Sequence, residues 1–230
     1  MRLIFVRHGE PDYEHDCLTP NGVEQAKSTG LKLKDEKIVA VYSSPLGRAR
    51  ETASYTAREQ GVEVQVLDFM HEIDWGSKNG DDLEFDGHPW TLAYKLLAEH
   101  PEYIGSDRWM EHPYFGNNVC MDYYDLISDS FDEVLKQYGL VREGKVYRCV
   151  ERCDDTVALF SHGGSGAYVL AHLFNQPLPY ILTAMPFRVC SITKIDMIVE
   201  NGDIVIPRFE CFNDIGHLGV IKKEGLRFGK

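Results

Sequence analysis

The chain has 230 residues, 43% hydrophobic and 26% charged, with a formal net charge of −12. That length and composition allow one globular domain with a buried core, with or without an insertion. The acidic balance excludes nucleic acid and anionic membranes as main partners, so an anion site has to be a local cationic pocket on an acidic surface.

The first element is the apolar run Leu3 to Val6, which reads as a buried strand cut off by Arg7-His8-Gly9. Pro11 to Cys17 is polar and reads as a loop. Thr19 and Pro20 then open a helix as N-cap and first helical residue, with Val23, Ala26, Gly30 and Leu31 as its buried face. Ile38 to Tyr42 is a second buried strand. Ser43-Ser44-Pro45 closes it and caps a helix that carries Arg48 in its first turn and ends near Gly61. Val62, Val64 and Val66 alternate as a half-exposed strand. Ser128 to Tyr138 is an amphipathic helix. Thr156 to Phe160 is a third buried strand, stopped by Ser161-His162-Gly163-Gly164, with a helix over Gly166 to Phe174. Val189 to Val199 and Ile204 to Phe212 read as antiparallel strands across the turn Asn201-Gly202.

Strands and helices alternate, so the expected fold class is α/β, a three-layer α/β/α sandwich on a mainly parallel sheet. Residues 73–125 break the rhythm. They hold all three tryptophans and read as an insertion folding as a lid over the C-terminal edge of the sheet in a single domain of residues 1–230.

No stretch approaches the roughly 20 apolar residues of a membrane span. The apolar run at the start is too short for a secretory signal. The expectation is a cytoplasmic protein whose six cysteines are reduced. Cys149 and Cys153 are the one close pair; a zinc or redox role stays open, and ordinary thiols are the simpler reading.

Two buried strands end in His-Gly, at His8-Gly9 and at His162-Gly163. If those strands are parallel neighbours, the two imidazoles share one pocket at the sheet edge where ligands bind in open α/β folds. Arg7 and Arg48 add two planar guanidinium forks suited to phosphate, Arg48 from a helix N-terminus. Glu72, beyond the strand around Val66, supplies a carboxyl for proton transfer. A histidine nucleophile needs its second ring nitrogen held by a fixed acceptor, for which a backbone carbonyl of the Gly9 turn is the candidate.

These residues stand in blocks that resemble, in order, those of the histidine phosphatase superfamily, also called the phosphoglycerate mutase-like family. The blocks are Arg7-His8-Gly9-Glu10, Leu18 to Ala26, Ser43 to Thr52, Met70-His71-Glu72, Ser161 to Ser165, and the closing Asn213 to Leu218. The resemblance implies that His8 becomes phosphohistidine and that Arg7, Arg48, His162 and Gly163 bind the phosphoryl group. It implies Glu72 as proton donor, and neither metal nor cofactor. A small phosphorylated metabolite is the implied substrate; a homodimer stays open.

Residues 73–125 contain three Lys or Arg against eleven Asp or Glu, a poor host for a second phosphate. Pro11 to Glu14 also departs from the mutase pattern after the nucleophile. Both favour a phosphomonoester hydrolase over a phosphoglycerate mutase-type phosphotransferase. Trp90, Arg108, Trp109 and His112 are the lid residues expected to touch the body of the substrate. A non-catalytic phosphate-binding module and a metallohydrolase built on His71, Glu72, His162 and the histidines of the insertion are the outside alternatives. His112 and His217 are the remaining histidines of interest.

Overall fold

A computed structural model describes residues 1–199 and 202–219. Asn201 of the expected turn lies outside the described residues. The described chain divides into two compact units. The first comprises Met1–Glu72, Asp132–Gly163 and the described residues from Phe187 on; the second comprises Ile73–Phe131 and Gly164–Pro186.

The strands of the first unit are β1 (Arg2–Arg7), β2 (Pro11–Asp12), β3 (Cys17–Leu18), β4 (Ile38–Ser43), β5 (Val64–Val66), β6 (Leu140–Glu143), β7 (Val146–Cys149), β8 (Thr156–Ser161), β9 (Ile192–Val199) and β10 (Ile204–Asp214). Eight form one sheet in the order β5-β4-β8-β1-β9-β10-β7-β6, and β2 pairs with β3 apart from it. The half from β5 to β1 is parallel; β9, β10, β7 and β6 extend it antiparallel. The class is α/β, as the alternation of elements requires. β1, β4 and β8 are buried almost throughout, which is why they read as continuous apolar runs rather than alternating ones. Hairpin β6–β7, turning at Gly144, has no such signature and escaped the sequence reading.

Helix α1 (Pro20–Leu33) begins as expected, with the Thr19 side chain accepting from Gly22 N. Its buried face is Gly22, Gln25, Ala26, Thr29, Gly30 and Leu33, while Leu31 is 58% exposed. The expected apolar face is rotated because two polar residues on it find partners: Gln25 Oε1 accepts from Glu10 N, and the Thr29 hydroxyl donates to Gln25 O. Helix α2 (Gly47–Gln60) ends at Gly61 in the left-handed conformation, φ 69°. It starts without a side-chain cap, so the hydroxyl cap expected of Ser43-Ser44 is not made. The core of this unit joins Ile4 and Val6 of β1, Val41 of β4, Ala158 and Phe160 of β8, Ile192 of β9, and Leu33, Ala53 and Ala57 of the two helices.

The second unit contains α3 (Pro89–Glu99), α4 (Pro113–Gly116), most of the first turns of α5 (Asp122–Lys136), the body of α6 (Gly163–Phe174) and α7 (Leu178–Ala184). Trp109 is 1% exposed there, with edge-to-face contacts to Phe115 at 5.3 Å and Tyr124 at 5.9 Å. The ring expected to touch substrate is thus buried in the second unit against two aromatic neighbours. Trp109→Ala is expected to lower unfolding free energy by about 3–5 kcal/mol, the usual range for an emptied aromatic site, measured by urea titration of the whole chain.

Candidate active site

The register of the parallel strands builds the site. Arg7 at the end of β1 lies opposite Ser161 at the end of β8, so His8 and His162 follow adjacent strand ends at one level. His8 N donates to Ser161 O at 2.9 Å, and the two imidazole centroids stand 5.0 Å apart. On the other side of β8, Ser44 leaves β4 with its N–H on Phe160 O at 2.9 Å. Its hydroxyl is 2.7 Å from His162 Nε2, so the serine expected to cap a helix instead fixes the second histidine.

His8 is 1% exposed, with Nδ1 2.7 Å from Gly9 O. A carbonyl can only accept, so Nδ1 carries the proton and Nε2 keeps its lone pair. Burial, with the charges of Arg7 and then Arg48 acting the same way, pushes the His8 pKa well below its ordinary value, against a smaller rise from Gly9. His162 is pushed down too, by burial first and then by His8, Arg48, Arg7 and His71. Both rings are neutral at physiological pH. His162 Nδ1 is buried with no protein partner.

Arg7 Nη1 donates to Phe187 O at 2.6 Å, and its buried Nε has no protein partner. Phe187 is held by Phe5 at 4.7 Å between ring centroids, which steadies that carbonyl. A Cβ on Gly163 would lie 3.7–3.8 Å from the Arg7 guanidinium, so a larger side chain at 163 would project against that arginine. Arg48 is 7% exposed; Nη1 donates to Asp16 Oδ1 at 2.6 Å, and its buried Nε has no protein partner. Thr52, one turn along α2, accepts from Gly9 N at 3.0 Å and donates to Arg48 O at 2.7 Å, coupling the nucleophile turn to the helix. Glu72 is half-buried and follows the short turn Asp68–Met70. Ser161 Oγ donates to Met70 O at 2.8 Å, and His71 lies near enough to act on His162 electrostatically, which ties residues 70–72 to the His162 end of the sheet.

The arrangement is thus two guanidinium groups with unused buried N–H and two neutral imidazoles, with Glu72 two residues beyond the Met70 carbonyl that Ser161 holds. Residues 3–105 match the model of the histidine phosphatase superfamily, branch 1. Phosphoserine phosphatase 1 of Hydrogenobacter thermophilus is 28% identical over 151 residues, covering 60% of this chain and 66% of that protein. A probable phosphoglycerate mutase of Photorhabdus laumondii is 28% identical over 102 residues, 39% of this chain and 47% of that one. A phosphoserine phosphatase mutant of Entamoeba histolytica, solved with phosphoserine, superposes with TM-score 0.63 at 23% identity, covering 94% of this chain and 98% of that one. Over residues 3–105 the chain is thus similar to the histidine phosphatase superfamily. Its alignments with the curated relatives span between one third and two thirds of their own length.

Arg7, His8, Arg48, Glu72, His162 and Gly163 all fall in the first unit, and Trp90, Arg108, Trp109 and His112 all in the second. Trp90 is half-buried beside His88 at 5.2 Å and Trp75 at 6.0 Å; Arg108 is exposed, 5.9 Å over Tyr103. His112 accepts from Tyr114 N through Nδ1 as a helix cap, and its pKa is lowered by burial and by His100. His217 is structural. Its Nε2 lies 3.0 Å from the Thr29 hydroxyl, whose proton is already given to Gln25 O, so Nε2–H donates and fastens the closing motif to α1.

Tyr13, Asp16, Ser44, Thr52 and the Phe187 carbonyl were missed by sequence reasoning. Only Ser44 and Thr52, inside the Ser43 to Thr52 block, carried any signal. All six cysteines are free thiols. Among the described residues no group of three or more His, Cys, Asp or Glu is placed to hold a metal ion. No helix among them is long and apolar enough to cross a membrane.

Proposed function

We propose that this protein hydrolyses small phosphomonoesters through a phosphohistidine on His8. The reading rests on one observation above the others: a buried, neutral His8 whose Nδ1–H is committed to Gly9 O, leaving Nε2 as an aimed lone pair. Nε2 attacks phosphorus and the P–O bond to the leaving group breaks. Glu72 protonates the departing oxygen, then takes a proton from the water that cleaves the N–P bond and releases inorganic phosphate. Arg7 and Arg48 offer their unused N–H groups to the equatorial oxygens. His162 does the same through Nδ1 when the Ser44 hydroxyl donates to Nε2, and Gly163 leaves room for the group. Because the named relatives include a phosphoserine phosphatase, a phosphorylated amino or hydroxy acid is the first substrate class to try.

Phosphotransfer of the mutase kind is the second reading, favoured by the probable phosphoglycerate mutases among the relatives. Phosphate release from a phosphomonoester panel, run with and without EDTA beside an assay of phosphoglycerate isomerisation, separates the two. Release that survives EDTA, with no isomerisation, is expected. Isomerisation without net release would replace the hydrolase reading by the mutase.

A further inference from the structure

The turn between β2 and β3 is docked on the start of α2 by four contacts. The Asp16 carboxylate accepts from Gly47 N through Oδ2 at 2.6 Å and from Arg48 Nη1 through Oδ1 at 2.6 Å. Leu18 N donates to Glu51 Oε2 at 2.8 Å, and the Tyr13 ring lies 5.3 Å from Arg48 Cζ. The docking leaves no slack: a Cβ on Gly47 would come within 2.1 Å of Asp16 O. Asp16 also takes a positive φ of 48°, a conformation that Asp, Asn and Gly tolerate better than other residues. Within the turn, Asp12 accepts from Glu14 N and His15 N, which presets its shape.

These contacts leave Arg48 in one pose. With Nη1 on a carboxylate and one face under Tyr13, the edge that remains is the Nε–Nη2 edge, and Nε is buried without a protein partner. That side-on edge is the fork that binds two oxygens of one phosphoryl group. We propose that Asp16 is the positioning residue of the site: it acts only through Arg48, holding the guanidinium so that the Nε–Nη2 edge meets the phosphoryl oxygens. The proposal rests on the phosphoryl-transfer reading of the pocket, but not on turnover. An arginine released from this clamp has many rotamers, and a misplacement of about 1 Å in a positioned group is enough for a loss of about 10²-fold.

The test uses Asp16→Asn, which keeps the backbone conformation and one acceptor, and Asp16→Gly, which keeps the backbone conformation alone. Calorimetric binding of inorganic phosphate is read beside kcat/KM, in the wild-type and Arg48→Ala backgrounds. Phosphate affinity and kcat/KM are expected to fall about tenfold in Asp16→Asn and about 10²-fold in Asp16→Gly. In the Arg48→Ala background, Asp16→Gly is expected to add less than about twofold, the signature of two residues acting as one. An Asp16→Gly variant that binds phosphate as tightly as wild type, or that loses as much again without Arg48, overturns the proposal. Tighter binding also overturns it and makes Asp16 a competitor for Arg48. A wild type that binds phosphate but hydrolyses nothing refutes the hydrolase reading alone, whereas one that binds no phosphate refutes both.

Discussion

His8→Ala is expected to lower phosphate release by about four orders of magnitude or more, because the covalent route disappears with its nucleophile. The fold should survive. Among the described residues, the His8 ring lies against the His162 ring at 5.0 Å, and its one ring hydrogen bond is to the adjacent Gly9 O. The backbone bonds that hold the turn, His8 N to Ser161 O and Gly9 N to Thr52 Oγ1, do not involve the imidazole. The covalent step is checked directly by quenching wild-type enzyme and a labelled phosphomonoester in alkaline detergent, because the N–P bond of a phosphohistidine hydrolyses in acid. An acid-labile, base-stable phosphoenzyme that vanishes in His8→Ala supports the mechanism. Full release by His8→Ala, or label retained in it, places the chemistry elsewhere.

The second large effect is on stability as pH falls. His8 and His162 have folded pKa values well below the ordinary histidine value of 6.5. For a base so depressed, the unfolded chain binds the proton and the folded chain refuses it. Stability contributed by the neutral pair is fully present above pH about 6.5 and declines as pH falls below it. The limiting slope is about 1.4 kcal/mol per pH unit for each histidine. Carboxylates elsewhere also respond to acid, so the clean measurement is the difference between wild type and His162→Gln in urea titrations at pH 7, 6 and 5. The variant is expected to lose stability less steeply, by up to one histidine's share of the slope. Parallel curves for the two proteins would mean that His162 titrates as freely in the fold as outside it. For activity the same direction means that protonation of the His8 nucleophile sets in at lower pH than for an ordinary histidine.

Where the residues speak through their own neighbours, the sequence was legible. Thr19-Pro20 capped a helix because a hydroxyl and a preset φ act within one turn, and Leu3 to Val6 and Thr156 to Phe160 announced central strands because both of their faces are buried. The acceptor for His8 in the Gly9 turn could be foreseen since it lies one residue away. The blocks that carry Arg7, His8, Arg48, Glu72 and His162 were read in the same way, as short motifs at strand ends.

What depended on distant partners was not legible. The register of β1 on β8 makes one pocket of His8 and His162, and it is set by pairing across most of the chain. Burial, a property of the whole fold, decides that both imidazoles are neutral. Ser44 bonds His162 rather than a helix end, and the rotated face of α1 buries Gln25 and Thr29 because Glu10 and His217 are there to satisfy them. Trp109 is buried against Phe115 and Tyr124, and Asp16 accepts from the start of α2. The sequence by itself determined which chemistry-bearing residues end which strands, since turn chemistry and apolar runs are local. Only the tertiary structure decided their protonation, orientation and partners, since those follow from desolvation and hydrogen bonds between residues that local pattern does not connect.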